Sequence, residues 1–407
     1  MAAELACPYC YETFTVRRIM FRCSSQTGPT GKRCRRERDP VLVQRRGIRG
    51  ELGPVFADDG RKQLTPHAGA CEAVTTFRVC PVCHSTLPAQ FGLLGNRLIA
   101  MVGAKASGKT VYMTVLLHEL MNRVGALGGF ALMAADDETM NRFDTHYQDP
   151  LYQGGAMFQA TPPALVNDNR VDPMVFRFGL TRRGLLGDRP EHTLLSFFDT
   201  AGEDFNSQEK IQVNTRYLAN SDGIILILDP LQLPGARQLA RPGAALPETE
   251  GQDSPINVLS RVTSMLLPHR AAGPRGGRLR PGAARVGRIS TPIAVVFAKL
   301  DAFWDGLAPG SPLLTQPPAD GRFHTADSLD VHEEVRHLLR EWRGGQLDQI
   351  LETNYRHYRY FGMSALGNSP TTDGRVAPTG IQPYRVTDPL LWLLSEFGSV
   401  ATTKRQA

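Results

Sequence analysis

The sequence predicts an α/β fold: a mostly parallel central sheet covered by helices on both faces, preceded by a small cysteine-rich module. Three observations predict it. From Asn96 onward, short apolar runs alternate with stretches of helical periodicity, the order that builds a parallel sheet buried on both sides. A glycine-containing loop, GAKASGKT at 103–110, lies between the first such run and the first such helix. All seven cysteines fall at or before Cys83, so the chain divides by composition as well as by pattern, into a front module over 1–92 and an α/β domain over 96–407.

The elements of the larger domain follow in order. Residues 97–102 read as a strand, and Val111, Val115, Leu116 and Leu120 recur at helical spacing over 109–123. Two runs at 175–180 and 193–198 flank the turn GLLGDRP and predict an antiparallel hairpin. Apolar or aromatic runs at 223–228, 293–298 and 360–363 predict further strands, with helices over 207–220, 255–269, 328–352 and 388–398. Residues 270–290 are rich in Gly, Ala and Arg without an acid, and 305–327 carry several prolines and glycines, so both are expected as loops. In the module, the polar stretch 24–70 is expected to be a loosely ordered insertion.

Composition narrows the class. A hydrophobic share of 42% argues against global disorder. No apolar run reaches the roughly 18–20 residues that span a bilayer, and MAAELACPYC lacks the charged-then-apolar pattern of a secretion signal. A cytoplasmic protein is expected. Residues 1–97 hold 15 Lys and Arg against 8 Asp and Glu, a local charge of +7, while the rest of the chain is nearly neutral. Such a module suits nucleic acid, an acidic protein or anionic lipid, or simply solubility.

The loop at 103–110 fits G-x-x-x-x-G-K-[ST] in full and in the required strand–loop–helix context. This predicts a P-loop NTPase three-layer sandwich. Gly103 and Gly108 allow close backbone approach to phosphates. The N–H groups of Ala104, Lys105, Ala106, Ser107, Gly108 and Lys109, with the helix N-terminus, supply partial positive charge. Lys109 is expected to reach the β- and γ-phosphates, and the Thr110 hydroxyl to bind Mg²⁺.

Downstream, FFDTAGED at 197–204 resembles the switch II motif of Ras-like, translation-factor-related (TRAFAC-class) GTPases. The resemblance implies that Asp199 holds Mg²⁺, directly or through water, and that the Gly202 N–H contacts the γ-phosphate. AVVFAKLD at 294–301 is similar to the guanine-reading [N/T]-K-x-D motif, which gives Asp301 two hydrogen bonds from guanine and lays the Lys299 stem over the base. Ala298 departs from that motif and removes one tethering hydrogen bond. FGMSALG at 361–367 resembles the motif whose backbone contacts the guanine oxygen, through Ser364, Ala365 and Leu366. Four motifs in family order cover about 97–367. Their long intervals, with an N-terminal zinc ribbon, resemble the double-GTPase proteins of bacterial conflict and signalling systems.

Switch I requires a Thr between the P-loop helix and residue 175, and Thr161 is the candidate, with Thr145 its rival. Ras-like enzymes place a Gln after DTAG, where this chain has Glu203. Glu203 is able to orient water but adds negative charge near the γ-phosphate, so slow turnover is expected unless a partner assists. Arg170 and Arg177 lie near the switch I region, and neither is assigned as an arginine finger.

The module carries CPYC at 7–10 and VCPVCH at 79–84, two C-P-x-C turns that each aim two thiolates at one point. Cys7, Cys10, Cys80 and Cys83 are expected to close a structural zinc site. Cys23, Cys34, Cys71, His67 and His84 remain as replacement ligands or members of a second site. The expected cofactors are therefore GTP, Mg²⁺ and Zn²⁺, with a guanine nucleotide and a protein regulator as partners. An ATP-using P-loop enzyme is one alternative. Another is a nucleic-acid-binding ribbon on a non-hydrolysing P-loop scaffold, in which Tyr9 and Phe21 would stack on bases, although packing in the ribbon core is the expected role of both.

Overall fold

The computed structural model describes residues 4–104, 106–158, 172–182, 189–199, 215–242, 244, 246–247, 254–268, 287–318, 320–371 and 373–403. Seven strands form its central sheet: β1 Gly95–Gly103, β2 Phe130–Ala134, β3 Met174–Arg182, β4 Arg189–Asp199, β5 Gly223–Leu228, β6 Ile293–Phe297 and β7 Tyr358–Gly362. Their spatial order is β2-β3-β4-β1-β5-β6-β7. From β4 to β7 every pairing is parallel, whereas β3 pairs antiparallel with both β2 and β4. The hairpin read from the sequence is thus the β3–β4 pair. Strand β2 was not foreseen, because FALMA is short and half-exposed and lies at the sheet's edge.

β1 lies between β4 and β5, with Met101 opposite both Asp199 and Ile225. Its side chains alternate between two cores, as the period of a strand requires. Ile99 and Met101 enter one layer with helix α1, Lys109–Met121. Leu98, Ala100 and Val102 enter the other with α2, Pro255–Leu266. Helices α3, Thr325–Glu341, and α4, Gly345–Asn354, join the α2 layer, and α5, Asp388–Glu396, joins the α1 layer. α1 buries Val111, Tyr112, Met113, Val115, Leu116, Leu117 and Leu120, so it is apolar almost all round, as a helix enclosed by its neighbours must be.

The single helix expected over 328–352 is two. α3 ends at Glu341 with Trp342 as its C-cap, after which Arg343 takes a left-handed φ of 59° and Gly344 follows. That break turns the chain so that Val331 and Val335 of α3 and Leu347 and Leu351 of α4 reach the same core.

The front module packs on the antiparallel half of the sheet. Cys7, Phe14, Ile19, Cys80, Cys83, Leu87 and Phe91 share a core with Val175 of β3 and Leu194 of β4. The insertion expected to be loose is ordered: Pro40–Arg46 is a helix whose Asp39 cap accepts from the Val41 and Leu42 N–H groups, at 3.1 Å each. The module also reaches the helical turn before β5. The Tyr11 and Tyr217 rings lie 5.1 Å apart, and Asn220 Nδ2 donates to the Tyr11 carbonyl at 2.9 Å. Arg216 pairs with Glu12 at 3.1 Å.

Tyr217 carries this contact into β1. Its hydroxyl donates to the Ile99 carbonyl at 3.2 Å and accepts from the Met101 N–H at 3.0 Å. Both hydrogen bonds are buried, and a buried hydrogen bond contributes about 0.5–1.5 kcal/mol. Tyr217→Phe is therefore expected to lower the unfolding free energy by roughly that amount, read as a lower urea midpoint with an unchanged slope. An unaltered midpoint would show the bridge to be inert.

Candidate functional site

The C-terminal ends of the parallel strands define one edge, and the sequence motifs gather there. Gly103 ends β1, Asp199 ends β4, Lys299 and Asp301 follow β6, and Ser364 follows β7. In open α/β sheets the crevice at this edge is where ligands bind, at the point where chain connections diverge to opposite faces.

The loop after β1 is built for close approach. A Cβ on Gly103 would fall 2.6 Å from Ser107 Oγ and 2.7 Å from the Ile227 carbonyl, so only glycine fits. Gly108 has a φ of 86° and opens α1. Ala106 is also left-handed, with a φ of 58°, a conformation that a non-glycine residue holds at some cost. Among the described residues, Ser107 Oγ is buried without a hydrogen-bond partner. A buried orphan hydroxyl inside a glycine-framed loop at a helix N-terminus fits an anion-binding cradle. Lys109 is buried in the first turn of α1.

Across the edge, Ser364 Oγ donates to Asp301 Oδ1 at 2.6 Å and accepts from the Gly367 N–H at 2.9 Å. Ser369 Oγ lies 3.5 Å from Asp301 Oδ2. The two motifs read separately, 63 positions apart, are thus one buried cluster. Ala365 and Leu366 are buried beside it. Ala298 is buried and its N–H donates to the Leu228 carbonyl at 2.9 Å, so the residue is committed to the sheet and offers no side-chain donor.

Two charged neighbours of the candidate residues were missed. Lys299 takes a left-handed φ of 58°, and its Nζ donates to Asp229 Oδ2 at 2.5 Å. Asp229 is almost fully buried just past β5, and its Oδ1 accepts from the Leu231 N–H at 2.9 Å. A carboxylate immediately after the apolar run GIILIL was the available signal. Arg241 Nη2 lies 3.7 Å from Asp301 Oδ2, and its setting in RPG gave no such signal.

With this geometry in view, the comparisons with known proteins are specific. The family model described as Double-GTPase 2 matches residues 97–310, a little over half of the chain. The chain belongs to the Double-GTPase 2 family. A curated relative is the Mycolicibacterium smegmatis protein named "Putative ESX-1 scaffolding and assembly protein SaeC", 27% identical over 96% of this chain and 99% of that protein. Two solved structures overlap loosely. The Arl6 BBS3 small GTPase of Trypanosoma brucei with bound GppNp is 14% identical over 74% of this chain and 98% of that one, with a TM-score of 0.26. A bacterial selenocysteine-specific elongation factor, EF-Sec, is 14% identical over 74% and 29%, also at 0.26. At such TM-scores neither carries weight beyond the overlap itself.

In this Double-GTPase 2 chain, the remaining candidates fall as follows. Lys105, Thr161, Arg170, Gly202 and Glu203 lie outside the described residues, and Asp199 is described by its backbone alone. Thr145 is exposed within a π-helix, Asp144–Gln153. Arg177 points to the module, with Nη1 3.4 Å from Gln90 Oε1.

The cysteines separate into two groups. Cys7 and Cys83 Sγ are 3.9 Å apart, Cys10 and Cys80 Sγ are 3.8 Å apart, and all four sulfurs lie within 4.8 Å of one another. A tetrahedron with Zn–S bonds of about 2.3 Å has edges of about 3.8 Å, so the set fits zinc. The Tyr9 and Val82 N–H groups donate to Cys7 and Cys80 Sγ at 3.4 Å each, easing thiolate charge. Burial raises the Cys7 thiol, while hydrogen bonds from Cys10 and its neighbours pull Cys83 far down. Crowded thiols of this kind favour a cation. The second group is Cys23, Cys34, His67 and Cys71. His84 belongs to neither, since its Nδ1 lies 3.0 Å from both Asp39 oxygens.

Asp229→Asn keeps an acceptor for Leu231 but removes the charge that holds Lys299. The expected loss is about 1–3 kcal/mol of stability, measured by chemical denaturation. Equal stability of variant and parent would mean that Lys299 is positioned by something else.

Proposed function

We propose that the chain is a guanine-nucleotide switch that binds GTP with Mg²⁺, hydrolyses it slowly and engages a protein partner through a zinc-stapled module. The observation that carries this reading is the buried carboxylate of Asp301, oriented by Ser364 on the same sheet edge as the phosphate-type loop. A carboxylate fixed there matches the adjacent N1–H and amine of guanine, a donor pair that adenine lacks. Membership of the Double-GTPase 2 family supports the same conclusion.

The residues take these roles in the proposal. Backbone N–H groups from Ala104 to Lys109 receive the phosphates, and the Lys109 ammonium balances their charge. Thr110 and Asp199 hold the magnesium ion, which when bound neutralises charge on the phosphate oxygens. Thr161 and Gly202 respond to the γ-phosphate, and Glu203 orients water. The added negative charge of Glu203 is the reason for slow turnover. Lys299 covers one face of the base, held by Asp229.

Cys7, Cys10, Cys80 and Cys83 hold a structural zinc ion, and the domains divide as 1–92 and 96–407. The printed role of the M. smegmatis relative, scaffolding and assembly, favours a protein partner over nucleic acid. So does the burial of Phe21, stacked on Phe56 at 6.2 Å and covered by Arg78 at 5.5 Å, which withdraws it from any base. No helix among the described residues is long and apolar enough to cross a membrane, and a cytoplasmic setting is part of the proposal.

The test is binding of fluorescent GTP to the full-length chain with Mg²⁺. GTP is expected to compete and ATP not to, and Lys109→Ala is expected to abolish binding. Asp301→Asn exchanges an acceptor for a donor, so GTP should weaken on the order of 10–100-fold, the loss of charged hydrogen bonds worth about 1.5–3 kcal/mol. Xanthosine triphosphate, whose O2 accepts from Asn, should gain. Equal competition by ATP would turn the reading to an adenine-nucleotide enzyme, and no binding of either purine would overturn it.

A further inference from the structure

We infer that the front module holds a second zinc ion, bound by the thiolates of Cys23, Cys34 and Cys71 and by Nδ1 of His67. Cys23 and Cys71 Sγ lie 3.5 Å apart, Cys34 Sγ is 3.3 Å from His67 Nδ1, and Cys71 Sγ is 3.8 Å from it. All four ligand atoms fall within 4.8 Å of one another. With Zn–S near 2.3 Å and Zn–N near 2.05 Å, a tetrahedral site has S···S edges of about 3.8 Å and S···N edges of about 3.6 Å. The observed separations scatter about those values. They are far from the roughly 2.05 Å of a disulfide, which would in any case leave one thiol and the imidazole without a role.

The surroundings are those of a metal knuckle. The Ser25 N–H donates to Cys23 Sγ at 3.3 Å, as the Tyr9 and Val82 N–H groups do in the first cluster. His67 and Cys71 sit at either side of a tight turn between the paired strands Thr65–Pro66 and Val74–Thr75, closed by the His67 N–H to the Ala73 carbonyl at 3.0 Å. The His67 ring stacks on Phe56 with centroids 4.3 Å apart, fixing the imidazole plane. Three soft thiolates and one imidazole in a closed arrangement select zinc over harder cations. The basic stretch KRCRRER around Cys34 offsets the net negative charge such a site carries.

The two sites are distinct but joined. Arg22, next to Cys23, donates to Asp39 Oδ2 at 2.9 Å, and His84, next to Cys83, shares that carboxylate. Asp39 in turn caps the helix Pro40–Arg46. Arg46 donates to the Tyr9 carbonyl at 3.0 Å and pairs with Asp172 at the entry to β3. The second ion thus closes the loop from Cys23 to Cys71 that presents this arginine to the nucleotide-type domain.

The inference is independent of any nucleotide. Metal analysis of the full-length chain, purified under reducing conditions, is expected to give two zinc ions per chain. His67→Ala and Cys34→Ser should each reduce this to one, and His67→Cys should retain two. One zinc per parent chain, or two retained in both His67→Ala and Cys34→Ser, would overturn it. If those two variants fail to fold, cobalt substitution decides: His67→Cys must show stronger thiolate-to-cobalt charge transfer than the parent, and an unchanged spectrum refutes the site.

Discussion

Everything at the sheet's functional edge depends on the parallel ladder that locks β1 between β4 and β5. The central residues of these strands, 98–102, 194–197 and 224–228, are buried, so a slip in register would move a whole apolar set. With Met101 opposite Asp199 and Ile225, the end of β1 is fixed against the end of β4. The glycine loop, the strand-ending aspartate and the β6 and β7 motifs then arrive at one place without any contact between them in sequence. Tyr217 reinforces this ladder from the side, because its hydroxyl is hydrogen-bonded to two backbone groups of β1.

The same edge concentrates buried polar groups that hydrophobic packing alone would reject. Asp301 and Asp229 are both almost fully buried, and each is held by several donors. A buried carboxylate is costly unless hydrogen-bonded, so Ser364, Ser369 and Lys299 are conditions for the fold as well as candidates for recognition. Arg241, near Oδ2 of Asp301, approaches from a different segment and brings charge compensation to that carboxylate.

The front module solves a different problem. It is basic and small, so a hydrophobic core by itself would be marginal. Its core joins Cys7, Cys80 and Cys83 to Phe14, Ile19, Leu87 and Phe91, completed by Val175 and Leu194 from the sheet. The module therefore is not a tethered bead. It shares a core with β3 and β4, and through Tyr11 it touches the residue that braces β1.

Much was legible in the residues themselves. Short apolar runs and helical spacing located six of the seven central strands and the longer helices, because those elements are apolar enough to declare themselves, whereas short helices such as Pro40–Arg46, Asp137–Phe143 and Pro234–Leu239 went unread. The loop at 103–110 was readable because its glycines and lysine answer a local backbone requirement. The two C-P-x-C turns were readable because ligand spacing is local as well. What the sequence could not determine were matters of distance through space. The short edge strand β2, the break between α3 and α4, and the order of the insertion all follow from packing partners far along the chain. Asp229, Arg241 and the separation of His84 from the cysteines were decided the same way. Local chemistry is written in neighbouring residues, but which carboxylate meets which lysine, and which imidazole joins which thiols, is set only when the sheet has closed.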